Sequence, residues 1–203
     1  MLFMLLTYNN SDSLSRDDKG ESRRLHFYDR GEQIPLATEG VWQVYRGVAQ
    51  LSQVSVGGEE ILLGWVQADG FLGMWLTDLE SYGAKALTEV YLRWFSLGEI
   101  EANPTLSQAL LTQSLRRLKQ SEALLAIGGL KRVEEKLQQL LKLLQQDLGQ
   151  PIAGGNRLSV RLTHQNLANA IGTTRVTITR LLGDFQRQGL ITLDQERHLI
   201  ILD

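Results

Sequence analysis

Between Leu162 and Ile191 the chain carries two short apolar repeats of helical period separated by one glycine, and this stretch restricts the fold more than any other. Thr163 is suited to cap a first helix, whose Leu167, Ala168 and Ile171 fall on one inward face. Ala168 is small where two helix backbones must approach, and Gly172 permits the sharp turn that follows. Thr174 caps a second helix whose apolar set is Ile178, Leu181, Leu182 and Phe185, spaced i, i+3, i+4, i+7, and Gly189 ends it. Two strand-like runs, Leu190–Leu193 and His198–Leu202, flank the polar Asp194–Arg197, and Arg157–Leu162 offers a further strand ahead of the first helix. The pattern predicts a winged helix-turn-helix from about Leu158 to Asp203.

Turning the apolar set inward leaves Arg175, Val176, Thr179 and Arg180 on the outward side of the second helix near its start, where a recognition helix meets base edges. Arginine can pair with guanine O6 and N7, while Val176 can meet a thymine methyl but cannot hydrogen-bond a base. Thr163, Gln165, Thr174 and Thr177 are short polar groups near helix starts, suited to phosphate oxygens and to setting register. Bulk charge gives no support: 21 Lys and Arg stand against 23 Asp and Glu, a formal net charge of −2, so DNA binding must come from this local face.

The other 150 or so residues change texture twice. Residues 1–24 read as a flexible lead-in, polar from Asn9 to Arg24; the opening Met1–Leu6 is apolar but too short to span a bilayer and lacks a basic lead, so a cytoplasmic protein is expected. Residues 25–100 hold short β-branched and aromatic runs, Val41–Tyr45, Val48–Val54, Glu60–Val66 and Glu89–Phe95, and predict an antiparallel β domain with a hairpin at Gly57-Gly58. Residues 101–128 are rich in helix formers, with Pro104 suited to a first turn. Leu111, Leu115, Leu118 and Leu125 form one apolar stripe there, with Glu122 in the missing slot; the stripe alone leaves open whether it buries within the chain or against a second one. Gly128-Gly129 then reads as a hinge before a second amphipathic helix, Leu130 to about Leu148, so residues 129–203 form the DNA-binding unit.

Chemistry other than binding finds no support in the pattern. The chain has no cysteine, which removes disulfides, thiolate metal sites, cysteine-ligated clusters and cysteine nucleophiles. His26, His164 and His198 are too scattered to suggest a metal site, and neither a Ser-His-Asp nor a paired-carboxylate motif is recognisable. Trp42, Trp65, Trp75 and Trp94 are assigned to core packing rather than to a ligand cage. No enzyme activity, metal or cofactor is expected.

From about Leu25 onward the order of β domain, long helix and winged helix-turn-helix resembles the CRP/FNR family of bacterial regulators. The run Ala170–Asp184 is most similar to that of the cyanobacterial nitrogen-control regulators. Tyr28–Glu32, Val44–Val48 and Asp69–Gly73 resemble the family's roll strands and glycine-bearing turn. The resemblance implies an α+β fold: an N-terminal antiparallel β-roll like that of cyclic-nucleotide binders, a long dimerisation helix, and the C-terminal winged helix-turn-helix. It aligns Arg175, Val176 and Arg180 with base-reading positions; Val176 replaces the glutamate that the cyclic-AMP receptor uses there, which implies a different operator. It also assigns Leu111, Leu115, Leu118 and Leu125 to a homodimer interface that would set two recognition helices about 34 Å apart on a palindrome.

The ligand cassette of cyclic-nucleotide binders is not kept. Met74 stands where they have a ribose-binding glutamate, and Tyr82-Gly-Ala-Lys85 where they have an Arg-Ser pair, which argues against cyclic AMP. The effector is therefore unknown, and its candidate contacts are Lys85 and Arg117, the latter in a position resembling an effector-binding arginine of the nitrogen regulators. A solvated or salt-bridged helix arginine is the alternative. The expected function is a sequence-specific DNA-binding transcription regulator, with double-stranded DNA, a second copy of the chain, RNA polymerase and a small effector as candidate partners and no membrane. The competing reading is a degenerate relative whose head binds protein instead of DNA.

Overall fold

The computed structural model describes residues 24–202. The lead-in expected over 1–24, save Arg24, the apolar opening Met1–Leu6 and the terminal Asp203 lie outside the described residues.

The first part is a roll of two antiparallel sheets. Its strands are β1 (His26–Tyr28), β2 (Gln33–Ile34), β3 (Gly40–Arg46), β4 (Ala49–Val54), β5 (Glu60–Val66), β6 (Phe71–Leu72), β7 (Tyr82–Ala86) and β8 (Val90–Ser96). One sheet has the order β1-β8-β3-β6 and the other β2-β7-β4-β5. Their inner faces bury Val44, Leu72, Val90 and Leu92 against Leu51, Val66, Ala84 and Ala86. The β4–β5 hairpin turns where expected, but only Gly58 adopts positive φ, at 81°. Strands of two or three residues, such as β2 and β6, are too short to carry a period of two, and the sequence pattern gives no sign of them. Trp42 and Trp65 are buried as expected; Trp75 lies in a 3₁₀ turn (Met74–Leu76) and is exposed.

Two helices follow, α1 (Leu97–Ala102) and α2 (Pro104–Gly129), the first started by a Ser96–Glu99 capping box and the second by Asn103, whose side chain accepts from Leu106 N, with Pro104 in the first turn. Helix α3 (Val133–Leu148) carries acidic Glu134 and Glu135 in its first turn, where the helix dipole favours them. The head then consists of β9 (Gly149–Ile152), β10 (Gly155–Leu158), α4 (His164–Ile171), α5 (Arg175–Arg187), β11 (Ile191–Leu193) and β12 (Leu199–Leu202), with sheet order β11-β12-β10-β9. Strand β9 was not expected, because Pro151 argues against a strand; it is tolerated here on the sheet edge.

Helix α2 ends beside the expected border at residue 128, but the apolar core runs across it. Leu137, Leu140, Leu144 and Leu148 of α3 pack with Leu158, Leu167, Ile178 and Phe185 of the head and with Val48 and Trp65 of the roll. Trp65 projects from the outer side of β5 and donates its indole N–H to Asp147 Oδ2 at 3.0 Å. Asp147 Oδ2 also accepts from Gln120 Nε2 at 2.8 Å, and Gln120 Oε1 accepts from Trp65 N at 3.1 Å and from Arg117 Nη1. A register shift in the β4–β5 pairing places Leu63 outside the ladder, and its carbonyl accepts from Arg117 Nη2 at 3.3 Å. The neighbouring Gly64, at φ 137°, leaves room for this node, since a Cβ there would collide with Arg117 Nη1 and Gln120 Oε1. Among the described residues no helix is long and apolar enough to cross a membrane.

Trp65→Ala is expected to lower stability by about 3–5 kcal/mol, as for other large aromatic truncations. In guanidinium titrations of the wild type, tryptophan fluorescence from the roll and helical circular dichroism should change in one coincident transition; two separated transitions would contradict a continuous core.

Candidate nucleic-acid interface

Helix α4 begins at a capping box: Thr163 Oγ1 accepts from Asn166 N at 3.1 Å and Asn166 Oδ1 accepts from Thr163 N at 2.9 Å. Gly172, at φ 65° and ψ 51°, ends it in the left-handed conformation, and Thr173 N donates to Ala168 O at 3.0 Å to close the turn. Thr174 then caps α5 by accepting from Thr177 N at 3.2 Å. Ala168, Ile171, Ile178, Leu181, Leu182 and Phe185 are all buried, so the two helices are locked by the residues that the pattern singled out.

The lock leaves Arg175, Val176, Thr179 and Arg180 together on the exposed side of α5, with Val176 at 78% exposure. An exposed valine at a helix start is unsupported by packing, which suits a residue waiting for an apolar partner such as a thymine methyl. Arg180 Nη1 lies 3.4 Å from Asp184 Oδ2, and Arg187 pairs with the other oxygen of the same carboxylate. Exposed pairs of this kind contribute at most about 1 kcal/mol, so the Asp184 contact holds Arg180 only weakly. Thr179 Oγ1 lies 2.9 Å from Arg175 O and 2.7 Å from His164 Nδ1.

The residues expected to meet phosphate are adjacent, and in the structure their side chains have intramolecular partners. The Thr163 and Thr174 hydroxyls are engaged in caps, Thr177 Oγ1 lies 2.9 Å from Thr174 Oγ1, and Gln165 Nε2 donates to Asn169 Oδ1 at 2.6 Å. Helix α4 is also seated on the roll, where Asn166 Nδ2 donates to Gln50 Oε1 at 3.4 Å and Asn169 Nδ2 to Glu60 Oε2 at 3.2 Å. Arg30 Nη2 donates to Arg161 O at 2.8 Å. Nothing in the helical period foretold which side of α4 would meet the roll.

The wing is held from below by Arg157 on β10. Its Nε lies 2.5 Å from Asp194 Oδ2, and its Nη2 lies 2.8 Å from Glu196 Oε2 and 2.6 Å from His198 Nδ1. Asp194 Oδ1 also accepts from His198 N at 2.7 Å. His198 thus sits with two carboxylates in a group whose ligand atoms lie within 4.8 Å of one another, a gathering that the wide spacing of the histidines concealed. The cation they hold is the Arg157 guanidinium. These hydrogen bonds, that from Arg157 first, draw the Asp194 pKa from 3.8 to about 2.

Leu111, Leu115, Leu118 and Leu125 are 61%, 52%, 55% and 78% exposed, so among the described residues nothing buries the stripe of α2. The effector candidates are not brought together. Arg117 lines a groove of about 1520 Å³ between the β4–β5 hairpin, α2 and the α4–α5 turn, together with Leu63, Tyr82, Leu118, Asn169 and Gly172. Burial draws its pKa down, with Tyr82 and Asp147 opposing, and burial also pushes Tyr82 up to about 12. Lys85 alternates on β7 with the core residues Ala84 and Ala86 and projects from the other face of the sheet.

Residues 131–203 match the Crp-like helix-turn-helix domain. The chain is 33% identical over 168 residues to a global nitrogen regulator of Nostoc sp., covering 78% of this chain and 75% of that one. It is 34% identical over 171 residues to the regulatory protein CysR of Synechococcus elongatus, covering 83% and 79%. In fold it is similar to a transcriptional regulator from Thermus thermophilus, with a TM-score of 0.71, 23% identity, and 89% and 94% of the two chains covered.

A carboxylate with a lowered folded pKa stabilises above its ordinary value and loses that contribution as pH falls through the folded value. The wing anchor should therefore be intact above about pH 4 and be lost as pH falls towards about 2. Amide resonances of β11 and β12 should follow that titration in wild type, and Asp194→Asn should abolish it.

Proposed function

This chain belongs to the CRP/FNR family of DNA-binding transcription regulators, which are not enzymes, and we propose that it binds a palindromic operator as a homodimer in the cytoplasm. The observation that carries the reading is the exposed face of α5, where Arg175, Val176, Thr179 and Arg180 stand on a helix fixed by four buried side chains. A small set of base-reading groups on a rigid element is what sequence discrimination requires. Thr163, Gln165, Thr174 and Thr177 are proposed to set register through the helix starts, where the free backbone N–H groups favour phosphate.

The homodimer rests on the uncovered stripe of α2, four leucines that an identical helix would bury about a two-fold axis. The groove beside Arg117 is our candidate effector site, with Leu118 of the stripe on its wall, so that a partner helix would border the ligand. Lys85 is less well placed, being on the other face of its sheet. The effector is not proposed to be cyclic AMP, because Met74 and Tyr82-Gly-Ala-Lys85 replace the groups that would hold it.

Arg180→Ala should weaken binding to an operator selected from random DNA by about 1–3 kcal/mol and relax choice at one base position. An equal loss on every sequence would make Arg180 a phosphate contact. Binding with no salt dependence on any DNA would favour a protein partner for the head instead. Sedimentation should show a dimer that Leu118→Glu dissociates; a monomeric wild type would refute the stripe assignment.

A further inference from the structure

His164 is the first residue of α4, yet its ring serves the other helix. Nδ1 lies 2.7 Å from Thr179 Oγ1, on the exposed face of α5. Thr179 Oγ1 is also 2.9 Å from Arg175 O, to which its single hydroxyl proton is directed. That leaves the Thr179 oxygen to accept, so Nδ1 carries a proton and donates it. In a neutral ring Nε2 is then unprotonated, and it has no partner among the described residues. The ring is half-buried at the edge of the face that meets DNA.

Two charges act on the ring, both cationic: Arg175 at the start of α5 and Arg197 in the wing. Arg197 holds a left-handed backbone at φ 65°, in the turn that brings the wing back towards the helices. The carboxylate that α4 meets on the roll, Glu60, is engaged by Asn169 and Gln50. In the free protein, burial first and then Arg175 and Arg197 hold the His164 pKa below its ordinary 6.5, so the ring is neutral near pH 7.

We propose that His164 is a DNA-contact and positioning residue that steadies Thr179 through Nδ1 and takes up a proton at Nε2 as the sugar-phosphate backbone arrives. The proton comes from solvent, binds the Nε2 lone pair and gives an imidazolium whose Nε2–H donates to a phosphate oxygen; no bond to DNA forms. A phosphate anion there offsets the repulsion of Arg175 and Arg197, and the same two arginines gather phosphate to the spot. The inference rests on the DNA-binding reading of this head and adds to it a proton-linked contact that neither composition nor charge count suggests.

A group that is more basic in the complex than in the free protein strengthens binding as pH falls between the bound and the free pKa, and has no further effect below the free value. At fixed ionic strength, affinity of the full-length protein for its selected duplex should rise as pH falls from about 8 to about 6, by at most about tenfold per pH unit for each half-site. His164→Gln can keep the hydrogen bond to Thr179 but does not titrate, so its affinity should lose the pH slope that wild type shows. His164→Ala should lose the slope and, in addition, relax discrimination at the base that Thr179 faces. A His164→Gln variant with the wild-type pH profile, or a wild type with a flat one, overturns the proposal while leaving DNA binding intact. A wild type with no affinity for DNA at any pH overturns both readings.

Discussion

Trp65 grows from a strand of the roll but buries its indole among α3 and α4, and the arrangement of the whole chain follows from that crossing. Trp65 is 3% exposed, and its indole N–H and backbone N–H both end on the Gln120–Asp147 pair that ties α2 to α3. A buried indole worth several kcal/mol therefore holds roll, long helix and head in one arrangement. The glycine at 64, the displaced Leu63 carbonyl and the buried Gln120 are then parts of one solution: each makes room for, or satisfies, a polar group that the crossing would otherwise leave buried and unpaired.

The head was legible in the sequence because its instructions are local. Thr163, Gly172, Thr174 and Gly189 act within four residues of where they stand, and the Ile178–Phe185 set repeats at helical spacing, so each could be read without knowing the rest of the fold. The contacts that escaped reading join residues far apart in the chain. Arg157 meets Asp194 across 37 positions, Trp65 meets Asp147 across 82, and Asn166 meets Gln50 across 116. Each of these side chains is ordinary for its element, and only the closing of the chain gives it a partner. Lys85 is an intermediate case: its residue type suited an anion, but strand alternation set it on the face opposite the small core residues beside it.

Asp184 tempers the basic face that it accompanies. Arg180 and Arg187 share its carboxylate in the free protein, so neither depends on salt ions alone for neutralisation. In the proposed complex Arg180 turns to a base while Asp184 keeps Arg187, which would leave one anion embedded in the face. Phosphate attraction alone would then be reduced, and a larger share of binding would have to come from base edges. A net charge of −2 adds no bulk attraction to polyanions.

The shared core also bears on how such a chain can be rebuilt. Leu140, Leu144, Leu167 and Ala170 border a residual cavity of about 20 Å³ together with Leu62, Trp65 and Leu87 of the roll. Cutting the chain after α2 would leave that apolar surface open to water on both fragments. The head is consequently a poor transplant: fused to an unrelated sensor it would carry a sticky scar where Trp65 had been, and a recombinant regulator would need either the roll's outer wall or polar replacements along α3 and α4 to remain monodisperse.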